Sequence, residues 1–145
     1  MGRAPKNAGA NLGKRSRPAL IGVSEQMKAW SAALADELSD WPQVATRSFF
    51  GFTALYRNEF MFAALPRTRA METANSLVFK VDNPSASLRS QMESDRRIGS
   101  MDMQKARWFT FELSSDADLH DALDWLGRAY DAAAKSAKKS LKRRW

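Results

Sequence analysis

Few side chains in this sequence can do chemistry, and their spacing favours binding over catalysis. There is one histidine, His120, and no cysteine. The missing thiol excludes thiol catalysis, disulfide frameworks, thiolate zinc sites and cysteine-ligated iron–sulfur clusters together. His120 has Asp116 four residues before it and Asp124 four residues after, a spacing at which a carboxylate can poise an imidazole as general base. These positions fall opposite the Leu119, Leu123 and Leu126 stripe, so they read as a solvated helix face. Carboxylates recur as Asp36-Glu37, Asp116/Asp118 and Asp121/Asp124. Acid–base work needs two carboxyls held in different surroundings, and helix surfaces and caps do not separate their pKa values. The seven glycines form neither a GxGxxG nor a GxxxxGK loop, and no GxSxG elbow occurs. The expectation is a protein with no catalytic residues, no metal and no cofactor.

Two other sets of residues fit binding. Phe49, Phe50, Phe52, Tyr56, Phe60, Phe62 and Phe79 lie on β-rich runs, where aromatics either pack a core or offer a stacking surface for bases. Core packing accounts for most of them. The exception is any aromatic left on the outer face beside Arg47, Arg57 or Lys80. The second set is the basic ends. Of the net +7, residues 1–23 contribute +5 and residues 135–145 contribute +6, while residues 24–134 hold all 16 acids against 12 bases and carry −4. Cations gathered at the ends attract a polyanion through counterion release. The candidate nucleic-acid-binding residues are Lys14, Arg15, Arg17, Lys138, Lys139, Lys142, Arg143 and Arg144.

The elements that position these residues follow from periodicity. Length, 44% hydrophobic and 27% charged residues suit one globular domain. The first 18 residues are rich in Gly, Pro and Asn, which predicts a flexible tail over 1–23. Ser24 is a plausible N-cap, and Met27, Trp30, Leu34, Leu38 and Trp41 form one apolar helix face ended by Pro42. Residues 44–50, 52–57 and 60–65 read as strands, with Asn58-Glu59 as a hairpin tip and Gly51 marking a bulge or close backbone approach. A loop follows over 66–74, then a strand over 76–81. Asp82-Asn83-Pro84 reads as an Asx cap with proline opening a short helix that carries Leu88 and Met92, and Ile98-Gly99 marks its exit. Residues 106–113 form the last strand. Ser115 and Asp118, three apart, head a final helix with a stripe of Leu119, Leu123, Leu126 and Tyr130. The order α-β-β-β-β-α-β-α predicts an α+β two-layer sandwich: an antiparallel sheet of four or five strands with the N- and C-terminal helices packed on it. The domain spans 24–134, and 135–145 is a basic extension that can continue the final helix. No apolar run is long enough to span a membrane, and the N-terminus lacks the apolar core of a signal peptide, so a cytoplasmic protein is expected.

Arg47-Ser48-Phe49-Phe50-Gly51 resembles the R-x-M-F-G entry of the TfoX N-terminal domain family, with Phe49 where that family usually has Met. Phe60-Met61-Phe62-Ala63 is similar to its K-M-F-A strand, and Leu77-Val78-Phe79-Lys80-Val81 to its L-Y-x-K-V strand. Trp125-Leu126 and Ala129-Tyr130 resemble its closing W-x-x-x-A helix. The match runs from Trp41 to Ala134, and its weight lies in the order and spacing of short motifs. MmcQ/YjbR-like proteins share a comparable architecture and form the competing assignment. The resemblance implies an α+β domain with an antiparallel sheet, no established catalytic residues and a role in regulating bacterial competence genes, often beside a C-terminal helical domain. This sequence departs from it in the loop over 66–74 and in closing on KSAKKSLKRRW where that helical domain would follow.

Three functions are expected in turn. The first is a non-enzymatic regulatory or adaptor domain whose basic ends contact nucleic acid or another polyanion. The second is a protein-interaction module, docking a protein partner or a second copy, that uses Met and aromatic residues around 60–65 and Met101 to Met103. The third is an enzyme or small-ligand binder, whose mark would be a closed pocket lined by Arg47, Tyr56 and Lys80.

Overall fold

Ser24 caps the first helix from the side and ties it to a distant loop. Its Oγ accepts from the Met27 N–H at 3.0 Å and donates to Asn75 Oδ1 at 2.6 Å. The computed structural model describes residues 21–70, 73–100 and 107–144. Helix α1 (Glu25–Ser39) buries Met27, Trp30, Leu34 and Leu38, the stripe its spacing predicts. Trp41 lies just past the helix end and meets the Tyr130 ring edge-on at 5.0 Å.

The chain then builds β2 (Val44–Phe49), β3 (Phe52–Arg57) and β4 (Phe60–Pro66) as two successive hairpins. Strand β6 (Ser76–Lys80) pairs with β4 on one side and with β8 (Trp108–Glu112) on the other. All pairings are antiparallel, in the order β2-β3-β4-β6-β8 and then β7 (Ile98–Ser100). The outermost strand, β7, is a sixth member where sequence periodicity reads only a helix exit. Three residues are too few to show alternation, yet Ile98 and Gly99 pair with Phe111 and Thr110.

Two further strands lie apart from this sheet. Ile21–Gly22 (β1) pairs with Arg69–Ala70 (β5), so the region read as tail and the region read as loop meet in a short ladder. Its cause is Gly51, whose carbonyl accepts from the backbone N–H groups of Arg67, Thr68 and Arg69 and folds the chain back after Pro66. The short helix α2 (Ala86–Glu93) begins later than the Asx-Pro signal predicts. Ser85 is its cap, with Oγ accepting from the Leu88 N–H at 3.1 Å, and Asn83 takes a positive φ of 47° in the turn before it.

The last helix, α3 (Asp118–Arg144), runs 27 residues and reaches through most of the basic C-terminal segment. Its buried stripe is Ala122, Trp125, Leu126, Ala129, Tyr130 and Ala133, rotated from the leucine stripe read from sequence; Leu119 and Leu123 are half-buried. The alanines let the helix approach the sheet, and Trp125 then stacks on Phe79 with ring centroids 5.9 Å apart.

With α1 and α3 the sheet makes the two-layer α+β sandwich. One core lies between them, with Leu55, Phe62, Leu77, Phe79, Phe111 and Leu113 facing the helices. Strict alternation along β4 fails because the register shifts between Leu55 and Tyr56, so both Phe62 and Ala63 join the helix-side core. On the opposite face Phe52, Ala64 and Val78 form a smaller cluster with Trp108.

Candidate functional site

The β2–β3 hairpin turns on two residues, Phe50 and Gly51, between the paired Phe49 and Phe52. Both take positive φ, 48° and 87°. The chain's two exposed large hydrophobics among the described residues meet here: Phe50 is 81% exposed and Phe49 40%. Their rings pack edge to face with centroids 4.9 Å apart.

Three arginines belong to this hairpin and the segment packed on it. Arg47, exposed and two residues before Phe49, has its guanidinium 5.3 Å from the centre of the Tyr56 ring. Arg67 reaches back from the segment after β4, its Nη2 donating to Ser48 Oγ at 3.2 Å. The Arg69 side chain passes Gly51 so closely that a Cβ there would lie 3.0 Å from Arg69 Cγ. Between Val44 and Ala70 the only acid is Glu59, and it sits in the turn at the other end of β3. A cationic, aromatic pole therefore stands on a body whose overall charge is negative.

The other aromatics and cations singled out in the sequence separate. Phe62, Phe79 and Phe52 are buried, and Phe60 and Tyr56 are half-buried. Residues 60–65 form the central strand, with Phe62, Ala63, Ala64 and Leu65 buried, which corrects the reading of that stretch as an exposed docking surface. Met101 and Met103 lie outside the described residues. Arg57 lies 3.9 Å over the Tyr130 ring and donates to the Tyr130 carbonyl, on the helix side. Lys80 faces Asp82 at 3.8 Å. An open groove of about 310 Å³ lies between α2 and β7, lined by Arg89, Met92, Ile98 and Phe109 among others.

The basic ends divide likewise. Lys14, Arg15 and Arg17 lie outside the described residues. Lys138, Lys139, Lys142, Arg143 and Arg144 are all on α3. At 3.6 residues per turn, positions 138, 139 and 142 come to one side of its axis.

The carboxylates do not sit as independent surface charges. Arg97 holds three of them: Asp95 in a fork at 2.8 and 2.9 Å, Asp118 at 2.9 Å and Asp121 at 3.1 Å, with the guanidinium 4.8 Å over the Phe111 ring. The Arg97 hydrogen bond keeps Asp95 below the usual carboxylate range. Asp118 is lowered first by the Ser114 backbone N–H, against some desolvation, and then by Arg97. Asp116 accepts from the Trp30 indole at 2.7 Å. His120 and Asp124 are 3.8 Å apart with side chains 82% and 58% exposed. With Asp121 they form a surface group, and the Asp121 carboxylate is already shared with Arg97.

Sequence reasoning named Arg47 and the aromatics but missed that Arg67 and Arg69 return to the β2–β3 hairpin at Ser48 and Gly51. The available signal was the acid-free runs on either side of Glu59. Comparison with family models, with curated proteins and with solved structures found no match to this chain. Among the described residues, no helix is long and apolar enough to cross a membrane.

Proposed function

We propose that this chain is a non-enzymatic regulatory or adaptor domain of the TfoX N-terminal type, acting in the cytoplasm on nucleic acid. The observation that carries this reading is the basic C-terminal segment on a continuous helix: α3 extends from the sheet-packed stripe through Lys138, Lys139, Lys142, Arg143 and Arg144. Positions 138, 139 and 142 share one side of that helix, and six cations exceed what the helix dipole favours within its last turn. The ordered family-like motifs between Trp41 and Ala134 support the regulatory half of the reading.

The test is binding of the full chain to labelled duplex DNA across a salt series. If about half of the eleven end cations meet phosphates, log K falls against log salt with a slope of about −4 to −5. Changing Lys138, Lys139, Lys142, Arg143 and Arg144 together to Gln flattens that slope. No binding at low salt removes the reading.

A second reading rests on β2. It is an edge strand in which five of six residues are exposed, an open ladder that a partner strand or a second copy can extend. Sedimentation of a stable dimer supports it, and a strict monomer across concentrations counts against self-association.

A further inference from the structure

The residue at the β2–β3 tip is the wrong one for the turn. Two-residue hairpin loops with positive φ at both positions are best filled by Asn-Gly or Gly-Gly, because a side chain branching into a large ring crowds the left-handed region. Here Phe50 occupies the first position at φ 48°. Its ring gains almost no burial, touching Phe49 and otherwise facing solvent. Neither turn geometry nor core packing accounts for a phenylalanine there. An exposed aromatic held in a disfavoured backbone conformation is the kind of outlier that marks a contact surface.

The charge near it says what kind of contact. Arg47 lies three residues before Phe50 on β2, Arg67 donates to Ser48 and the Arg69 side chain passes Gly51. All three are exposed, and no acid lies between Val44 and Ala70 except Glu59 at the opposite hairpin. Arg67 is fixed by Ser48 and Arg47 lies against Tyr56, so two guanidiniums are partly oriented before any ligand arrives. Projecting rings beside guanidiniums match unpaired bases joined by phosphates: bases stack on aromatic faces while cations track the backbone. A duplex hides its base faces in the stack and would use only the cations.

We infer that the Phe49–Phe50 tip with Arg47, Arg67 and Arg69 is a binding site for single-stranded nucleic acid, a base stacking on Phe50 and the arginines meeting the flanking phosphates. This rests on the nucleic-acid reading above and assigns it a second, strand-selective site away from the basic ends.

The test measures fluorescence anisotropy of the full chain with labelled oligothymidylate and oligouridylate of about 20 nucleotides, and with a duplex of that length, at low salt. The key variant is Phe50→Asn, which suits the turn better than the native residue and so keeps the hairpin. Phe50→Asn weakens single-strand binding about tenfold and leaves duplex binding unchanged. Arg47→Gln lowers the single-strand salt slope by about 1. Tighter binding of either single strand identifies DNA or RNA as the ligand and supports the site. Phe50→Asn binding every probe as the native chain does overturns the site while leaving the basic-end reading standing. Conversely, Phe50-dependent single-strand binding that survives the five-fold Gln variant, with duplex binding never seen, removes the basic-end reading and keeps the site. A change in sedimentation on Phe50→Asn with no change in oligonucleotide binding makes the tip a contact between copies and removes it.

Discussion

Arg97 Nη1 stands 2.9 Å from Asp118 Oδ1 and so joins the turn after α2 to the first residue of α3. The same guanidinium forks onto Asp95 and covers the Phe111 ring, and Asp118 accepts from the Ser114 and Ser115 N–H groups. One side chain thus fixes the end of α2, the sheet and the start of α3 relative to one another. Arg97→Met keeps much of the stem but leaves Asp95 and Asp118 without their cation. The expected loss is about 2–3 kcal/mol, or a melting temperature roughly 8–12 °C lower. A calorimetric melt within a degree or two of the native chain would show that solvent replaces the cluster at no cost.

The same cluster sets the acid limit. Asp95 and Asp118 titrate below the ordinary carboxylate value of about 3.9. A depressed folded-state pKa contributes stability that is present above the unfolded value and is lost as pH falls through the folded one. Stability from these two groups is therefore complete near neutrality and drains away below about pH 4. The two separate on Arg97→Met. Asp95 loses the main cause of its shift and moves up, whereas Asp118 keeps its Ser114 N–H and stays low. Carboxyl titration by NMR reads both, and an equal rise of the two would overturn the assignment of causes.

Gly51 was legible as a close approach, and the structure supplies the reason. An added Cβ would meet Thr68 Oγ1 at 2.9 Å, and φ is 87°. Gly51→Ala therefore destabilises by about 1–3 kcal/mol. The effect concentrates where the Gly51 carbonyl receives Arg67, Thr68 and Arg69. Hydrogen exchange at those amides should rise more than at β6 or β8; uniform acceleration would refute a local role.

Ser31 lies on the buried face of α1, and its Oγ has no hydrogen-bond partner among the described residues. A stranded hydroxyl carries its desolvation penalty without return, and alanine is the better helix former. Ser31→Ala is expected to stabilise by about 1 kcal/mol, seen as a higher urea midpoint at unchanged slope. A lower midpoint would mean that the hydroxyl has a partner in solution.

What could be read from the sequence and what could not follows interaction range. The stripe Met27–Trp30–Leu34–Leu38 and the Ser24 cap are local, and both are where periodicity puts them. The hairpins 44–50/52–57 and 52–57/60–65 are local too, and only the shift near Phe62 was hidden, because one inserted residue leaves no compositional trace. β7 and the β1–β5 pair depend on partners about 11 and about 48 residues away, and their two or three residues show no period. The Arg97 cluster was invisible for a related reason. Asp118 and Asp121 read as cap and surface on their own helix, and the cation that organises them comes from the turn after another. The basic ends stood out because a run of like charge is a one-dimensional signal, whereas the arginines around Phe50 come from two segments joined only by the fold.

Phe50→Asn is also a measurement of stability. A non-glycine residue in the left-handed region costs roughly 1–2 kcal/mol, less for Asn, whose short polar side chain bonds locally. With Gly51 following, the variant carries the Asn-Gly pair that this turn favours. The ring removed is 81% exposed, so little packing is lost with it. The expected outcome is a gain of about 1 kcal/mol, or a melting temperature roughly 4 °C higher. That gain means the native chain keeps an aromatic at the tip against its own stability, which only a contact made by the ring explains. A melting temperature that falls means instead that Phe50 packs on something in the folded protein, and the ring then has a structural reason to be there.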